Sequence, residues 1–346
     1  MNRRTINQAL KTTGEKGDYL MLKITLIALI LSFFTVSCTR TGALFSTGES
    51  GSQTHATGDL ATVSPLMAAA ATVELKLPDG VPLAGFGGGA RRNWNIFHST
   101  SPYAHFFNPS KGTHDAIRAK ILVLQMGETK LIWIAADLIA ASPDFATYIA
   151  EKIKNLGFNR DEILFSASHT HSGPGAFANN KFWALIAVDR FKQDLFDSMA
   201  SQMAFGVESA ISRLQPAVWG VSEVAIPGKT HNRRHDNAPV DPVATVLRVD
   251  SQNGEPIAVA FNFAIHGTLN GTDNLLFSAD VPGAIQHTKE KRVGTPITTL
   301  FLNGAEGDVS PSDDYADPSA FDRADKLGDD IAAPIVAAWQ QTETRI

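Results

Sequence analysis

Residues 130–175, KLIWIAADLIAASPDFATYIAEKIKNLGFNRDEILFSASHTHSGPG, decide the fold. KLIWIAA (130–136) and EILFSAS (162–168) are short apolar runs that read as buried strands. Between them, Ser142 stands as an N-cap, Pro143 takes the first helical position, and Phe145, Ile149, Ile153 and Leu156 repeat along one face until Gly157. That pattern predicts a helix. Strand, helix, strand implies a parallel pair joined by a right-handed crossover, and so an α/β domain.

Working outward, RAKILVLQ (118–125), VATVLRV (243–249), IAVAFNFAI (257–265) and ITTLFL (297–302) read as further strands. The ETK of residues 128–130 predicts a hairpin, so the expected sheet is mixed, mostly parallel and flanked by helices. Two more helices are predicted, around 188–213, with Phe191, Leu195, Met199, Met203, Val207 and Ile211 in one stripe, and around 319–340. Ligands in open α/β sheets bind beyond the carboxyl ends of strands. Asp137, His169, His171, His266 and Asn303 all fall there.

The first 70 residues differ in kind. MLKITLIALILSFFTVSC (21–38) has a lysine, an apolar run of signal-peptide length and a small residue before Cys38, so residues 1–38 read as an export segment. Cys38 is the one cysteine of the 346 residues, which excludes an intrachain disulfide, and it occupies the place of a lipidated cysteine. A lipid anchor at a membrane surface, with a periplasmic, outer-membrane or secreted location, is the expectation, plain secretion and an uncleaved membrane helix being the alternatives. Residues 39–70, rich in Gly, Ser, Thr and Ala without periodicity, read as a flexible tether, leaving 71–346 as the folded domain. Residues 1–38 hold five basic and two acidic side chains, so the remainder carries 25 basic against 33 acidic. That balance argues against nucleic acid as a partner.

The candidate chemistry lies in three segments. If the extended conformation continues through His169 and His171, both imidazoles point to one side and reach one ion or one substrate; the alternative is hydrogen bonding within a loop. His266 brings a further imidazole from another strand end. Asp137 and Asp280 read either as ligands or imidazole-orienting partners, or as capping and turn residues. In NGAEGDVSPSDD (303–314), Ser310 is a nucleophile or a turn serine, and it lacks the Gly-X-Ser-X-Gly elbow of an α/β-hydrolase. GFGGGARR (85–92) lacks the spacing of a phosphate loop and reads as a tight turn or a loop lining a site. Gly87 and Gly88 there, and Asp308 beside the serine, are the expected substrate-binding positions.

HTHSGPG (169–175), FAIHGT (263–268) and GDVSP (307–311), in that order, resemble the neutral/alkaline ceramidase family, with weaker likeness over roughly residues 72–340. The resemblance implies an exported, zinc-dependent amidohydrolase that splits N-acylsphingosine into sphingosine and fatty acid. It implies zinc on His169 and His266, His171 beside the reacting carbonyl, Ser310 as nucleophile and Arg233 near the substrate, with Arg234 as the competing alignment. The family also uses a downstream glutamate and tyrosine as ligands, well over a hundred residues past the serine motif, whereas 36 residues follow Ser310 here. The expectation is therefore a catalytic domain truncated at its C-terminus and similar to a short bacterial branch. Its substrate is ceramide or another amide or ester, unless the chain is a non-catalytic lipoprotein.

Overall fold

The computed structural model describes residues 64–98, 101–294, 297–312, 314–317 and 319–345. The export segment, Cys38 and most of the tether lie outside these residues. The strands are β1 (Leu66–Glu74), β2 (Arg118–Met126), β3 (Thr129–Ala136), β4 (Ile163–Ala167), β5 (Gln215–Ala225), β6 (Thr230–Asn232), β7 (Val243–Ser251), β8 (Pro256–Phe263), β9 (Thr298–Asn303) and β10 (Val309–Pro311). The long helices are α1 (Pro143–Ile153), α2 (Gln193–Ile211), α3 (Asp280–Val293) and α4 (Ala320–Gln341). None of them is long and apolar enough to cross a membrane.

Eight strands form one sheet in the order β4-β3-β2-β1-β5-β7-β8-β9, while β6 and β10 form a separate ribbon. The mixed α/β class holds, and the crossover through α1 makes β3 and β4 parallel. The expected predominance of parallel pairing does not. Only β3/β4 and β8/β9 are parallel, and the other five neighbours are antiparallel. Tight connections such as the one between β2 and β3 can join only antiparallel strands, whereas parallel pairs need a long crossover.

Period-2 alternation sorts the strands into layers. In β2, Ala119, Ile121 and Val123 pack under α1 and α2, and Leu122 faces the other way. In β8, Val259, Phe261 and Phe263 pack under α3 and α4, and Ala258 and Ala260 face away. The outward-turned sides meet: Leu66, Ala68, Leu122 and Trp133 share one core with Val249, Ala258, Leu300 and Leu302. The sheet is thus folded into two halves packed face to face, each covered by a helix pair. Each half runs through three antiparallel strands, a crossover helix, a parallel strand and a second helix.

Several boundaries differ from the sequence expectation. The tether assigned to 39–70 overlaps β1, which starts at Leu66 in the middle of the sheet. Leu156, expected on the buried face of α1, falls in a short 3-10 turn and is exposed. The helix expected from 188 begins at Gln193, because Asp189 adopts φ 67° and turns inward, accepting backbone N–H bonds from His105, Phe106 and Phe107. Helix α4 matches its predicted span. Helix α3 and strand β5 carry no clear signal in the sequence, since Pro282 and Gly283 break the apolar period of one and Pro216 and Gly220 that of the other.

Candidate metal centre

The carboxyl ends of β3 and β4 meet those of β8 and β9, and Asn303 at the end of β9 staples them. Its Nδ2 donates to the carbonyls of Ser168 (3.1 Å) and Ile265 (3.0 Å), and its Oδ1 accepts from the N–H of Ile265 (3.2 Å). Thr170 bridges Gly267, and the N–H of His171 donates to the Gly267 carbonyl at 2.9 Å. Two loops from different halves of the sheet are thereby fixed side by side.

His169, His171 and His266 converge in that junction. His169 Nε2 lies 3.2 Å from His266 Nε2 and 3.2 Å from His171 Nε2. Among the described residues these three form the one group of at least three His, Cys, Asp or Glu whose ligand atoms lie within 4.8 Å of one another. The expected route to convergence was an extended strand. Instead His169 takes φ 61°, an uncommon conformation for a non-glycine residue, held by its N–H bond to the Leu138 carbonyl at 3.0 Å.

The outer ring nitrogens set the tautomers. His169 Nδ1 donates to the Ile139 carbonyl at 2.7 Å, and His266 Nδ1 to the Glu306 carbonyl at 2.7 Å, with the Val309 carbonyl at 3.2 Å. Both Nε2 atoms therefore turn lone pairs inward. Lone pairs turned toward a common point can share one cation, and neutral imidazole nitrogen is a zinc ligand, so the residues present fit that metal. Burial, with the charges of neighbouring imidazoles and Arg233, pushes His171 down to about 3 and holds His266 below its ordinary value.

His171 differs from its neighbours. Its Nδ1 is buried without a hydrogen-bond partner. A buried N–H left unpaired costs more than a bare lone pair in the same apolar setting, which places the proton on Nε2, facing the centre. Phe86 packs on this ring with centroids 4.7 Å apart, and Gly85 lies so close that a Cβ there would stand 2.7 Å from the ring. Gly85 adopts φ 107°, which only glycine enters without strain.

Arg233, just past β6, reaches the cluster. Its Nη2 donates to His266 Nε2 at 3.3 Å and to the Gly307 carbonyl at 2.8 Å. Arg234 donates its backbone N–H to Asn232 Oδ1 at 3.0 Å. Ser310 sits half-buried on β10, opposite His231 and next in chain to Val309, whose carbonyl accepts from His266. Asp308 serves the framework: its Oδ2 accepts from Asn232 at 2.8 Å, and its carbonyl accepts the Arg233 N–H at 2.8 Å. Gly87 abuts the backbone of Ile186, and nothing lies within 4 Å of a Cβ built on Gly88.

Asp137 and Asp280 stay outside the cluster. Asp137 Oδ2 accepts the Arg118 N–H at 3.0 Å, and burial raises its carboxyl to about 6. Asp280 accepts from the N–H groups of Leu269 (3.3 Å) and Asn270 (2.9 Å), fixing the loop behind His266, and burial raises its pKa. Arg91 was not singled out in the sequence. Its buried guanidinium donates to the His171 carbonyl at 3.0 Å and to Ser172 Oγ at 3.2 Å, and burial lowers its pKa to about 10. Glu306, also not singled out, places a carboxylate oxygen 3.9 Å from His169 Nδ1, on the side away from the centre.

The chain and its fold are similar to those of known proteins. The family model described as neutral/alkaline non-lysosomal ceramidase, N-terminal, matches residues 98–319. Neutral ceramidase B of Dictyostelium discoideum is 26% identical over 235 residues, 61% of this chain and 33% of that protein. The neutral ceramidase of Pseudomonas aeruginosa is 25% identical over 228 residues, 61% of this chain and 34% of that protein. The chain thus aligns with about a third of these relatives' length. A structure titled as a ceramidase complexed with C2 superposes with a TM-score of 0.69 at 19% identity, covering 80% of this chain and 44% of the other. That of the Pseudomonas aeruginosa neutral ceramidase gives 0.67 at 19%, covering 80% and 45%. With more than half of its residues matched, the chain belongs to the neutral/alkaline non-lysosomal ceramidase family.

Proposed function

We propose that the chain is a zinc-dependent amidohydrolase that cleaves the N-acyl linkage of ceramide or a related N-acyl lipid, releasing a fatty acid and a long-chain amine. The observation that carries this reading is the pair of inward lone pairs on His169 and His266, fixed by outward bonds to backbone carbonyls. These two side chains would hold the metal. When bound, zinc polarises a carbonyl oxygen and lowers the pKa of a bound water toward neutrality.

The remaining residues divide the rest of the work. His171, protonated on Nε2, donates to the oxygen that gains charge as the amide carbon becomes tetrahedral, and Arg233 adds a full positive charge beside it. Ser310 supplies the hydroxyl that the family resemblance assigns as nucleophile. The names of the relatives support ceramide as the substrate class. The apolar run ending at Cys38 supports export, with a lipid anchor there as its strongest form.

Removal of metal by a chelator is expected to abolish hydrolysis of N-acylsphingosine, and one equivalent of zinc to restore it. Full activity in a metal-free preparation would reject this function. One observation favours a second reading, metal binding without turnover: among the described residues no carboxylate joins the imidazole cluster. Stoichiometric zinc with no hydrolysis of any N-acyl lipid or acyl ester would select it.

A further inference from the structure

The geometry points to a membrane-docking surface beside the metal centre, built from two apolar segments and directed at an anionic phospholipid bilayer. This rests on the proposed lipid amide for its purpose but not for its existence.

The first segment is the loop after the glycine turn, where Trp94 is 83% exposed and Phe97 89% exposed. The second is the helical turn over 181–188, on which Phe182, Trp183, Leu185 and Ile186 are all exposed. Arg92 ties one to the other, since its Nη1 donates to the Leu185 carbonyl at 2.5 Å. The same glycine turn reaches inward: the Gly85 N–H donates to the Ala187 carbonyl at 2.8 Å, and Gly85 touches the ring of His171. The exposed apolar groups and the metal centre therefore share one short stretch of backbone.

Six large apolar side chains on two adjoined segments exceed the scattering of single exposed hydrophobics found on soluble surfaces. Trp and Phe beside basic residues are the composition of interfacial anchors, where aromatic rings enter the headgroup boundary and cations meet anionic lipid. The charges agree. Lys181 and Arg190 flank the helical turn at the surface, and the intervening Asp189 is buried with its oxygens spent on four backbone N–H groups. In a chain of formal charge −5, this local excess of cations favours an anionic surface.

Tryptophan emission tests the surface in the full chain, because no tryptophan precedes Trp94 and any insertion of the N-terminal segment is silent in this signal. Vesicles of phosphatidylglycerol and phosphatidylcholine with brominated acyl chains should quench and blue-shift the emission. The Trp94→Phe/Trp183→Phe variant should lose most of that response while still binding. Phe97→Ser/Phe182→Ser should weaken vesicle binding on the order of tenfold or more, and Lys181→Glu should reduce the preference for anionic over zwitterionic vesicles. Both serine substitutions lie on exposed side chains, and an unchanged melting temperature certifies the fold. Vesicle binding without tryptophan quenching, or a concentration-dependent dimer abolished by Phe97→Ser/Phe182→Ser in place of vesicle binding, would overturn the inference. Quenching with no hydrolysis of any lipid amide would sustain the docking surface and remove the proposed activity instead. Where hydrolysis is present, Phe97→Ser/Phe182→Ser should slow turnover of vesicle-embedded substrate and leave a short-chain soluble amide untouched.

Discussion

At the scale of single residues, the tautomers separate histidines that sequence alone treats alike. His169 and His266 offer lone pairs to the centre and His171 offers a proton, so the three substitutions should part company. His169→Ala or His266→Ala should lower zinc affinity by at least a hundredfold in a competition titration, whereas His171→Ala should retain stoichiometric zinc and lose hydrolysis. Equal loss of zinc in all three would show that His171 is a ligand as well. The histidines themselves were legible because their order along the chain, with Ser310, carries the family pattern. What fixes them was not. Ile139 and Glu306 act through backbone carbonyls, which any residue carries, and Arg91 is marked by nothing in GGGARR that distinguishes it from Arg92. Asp137 and Asp280 illustrate the converse: both stand where ligands are expected, yet each is consumed by backbone N–H groups.

At the scale of elements, β1 shows how a central strand can read as a linker. LMAAAATVE lacks β-branched alternation because Ala69 and Ala71 face α2, and that helix packs very closely at Gly206. A Cβ on Gly206 would collide with Val73 and stand 2.9 Å from Ile121. Small residues are the condition of that approach, and small residues are also what makes a segment look structureless. Gly206→Ala should therefore destabilise the fold by roughly 1–3 kcal/mol despite the better helix propensity of alanine, a loss to be read from urea denaturation. A stabilised variant would mean that α2 has room to move. Helix α1 was readable for the opposite reason. Phe145, Ile149 and Ile153 keep the helical period, and Phe145 stacks on Phe196 with centroids 4.6 Å apart, so propensity and tertiary burial agree. Phe145→Ala is expected to cost about 3–5 kcal/mol.

Across the whole molecule, the sequence disclosed the layers less well than the site. Apolar runs identify buried strands but not their direction, and the folding of one eight-stranded sheet into two facing halves follows from side chains on both strand faces, which a run of apolar letters does not separate. The packing of the outer layers also buries a charge that no motif announces. Lys289 on α3 is fully buried between β7 and α4, with its Nζ 4.5 Å from the centre of the Trp339 ring and without a hydrogen-bond partner. Burial lowers its pKa to about 7; nearby Glu290 and Asp250 pull upward, and Arg248 pushes down. Between pH 7 and about 10.5 the unfolded chain holds this proton and the folded chain does not, so stability rises with pH across that window. Below pH 7 both states are protonated and the contribution is constant at its least favourable. Lys289→Met, which fills the same volume and leaves Asp250 with its 2.7 Å bond to Arg248, should raise stability at pH 7 by on the order of 1 kcal/mol or more and flatten the alkaline rise. Urea midpoints of both chains at pH 7, 8.5 and 10 measure this directly. A constant difference between the two chains over that range would mean that Lys289 keeps its proton in the fold, sustained by the ring of Trp339.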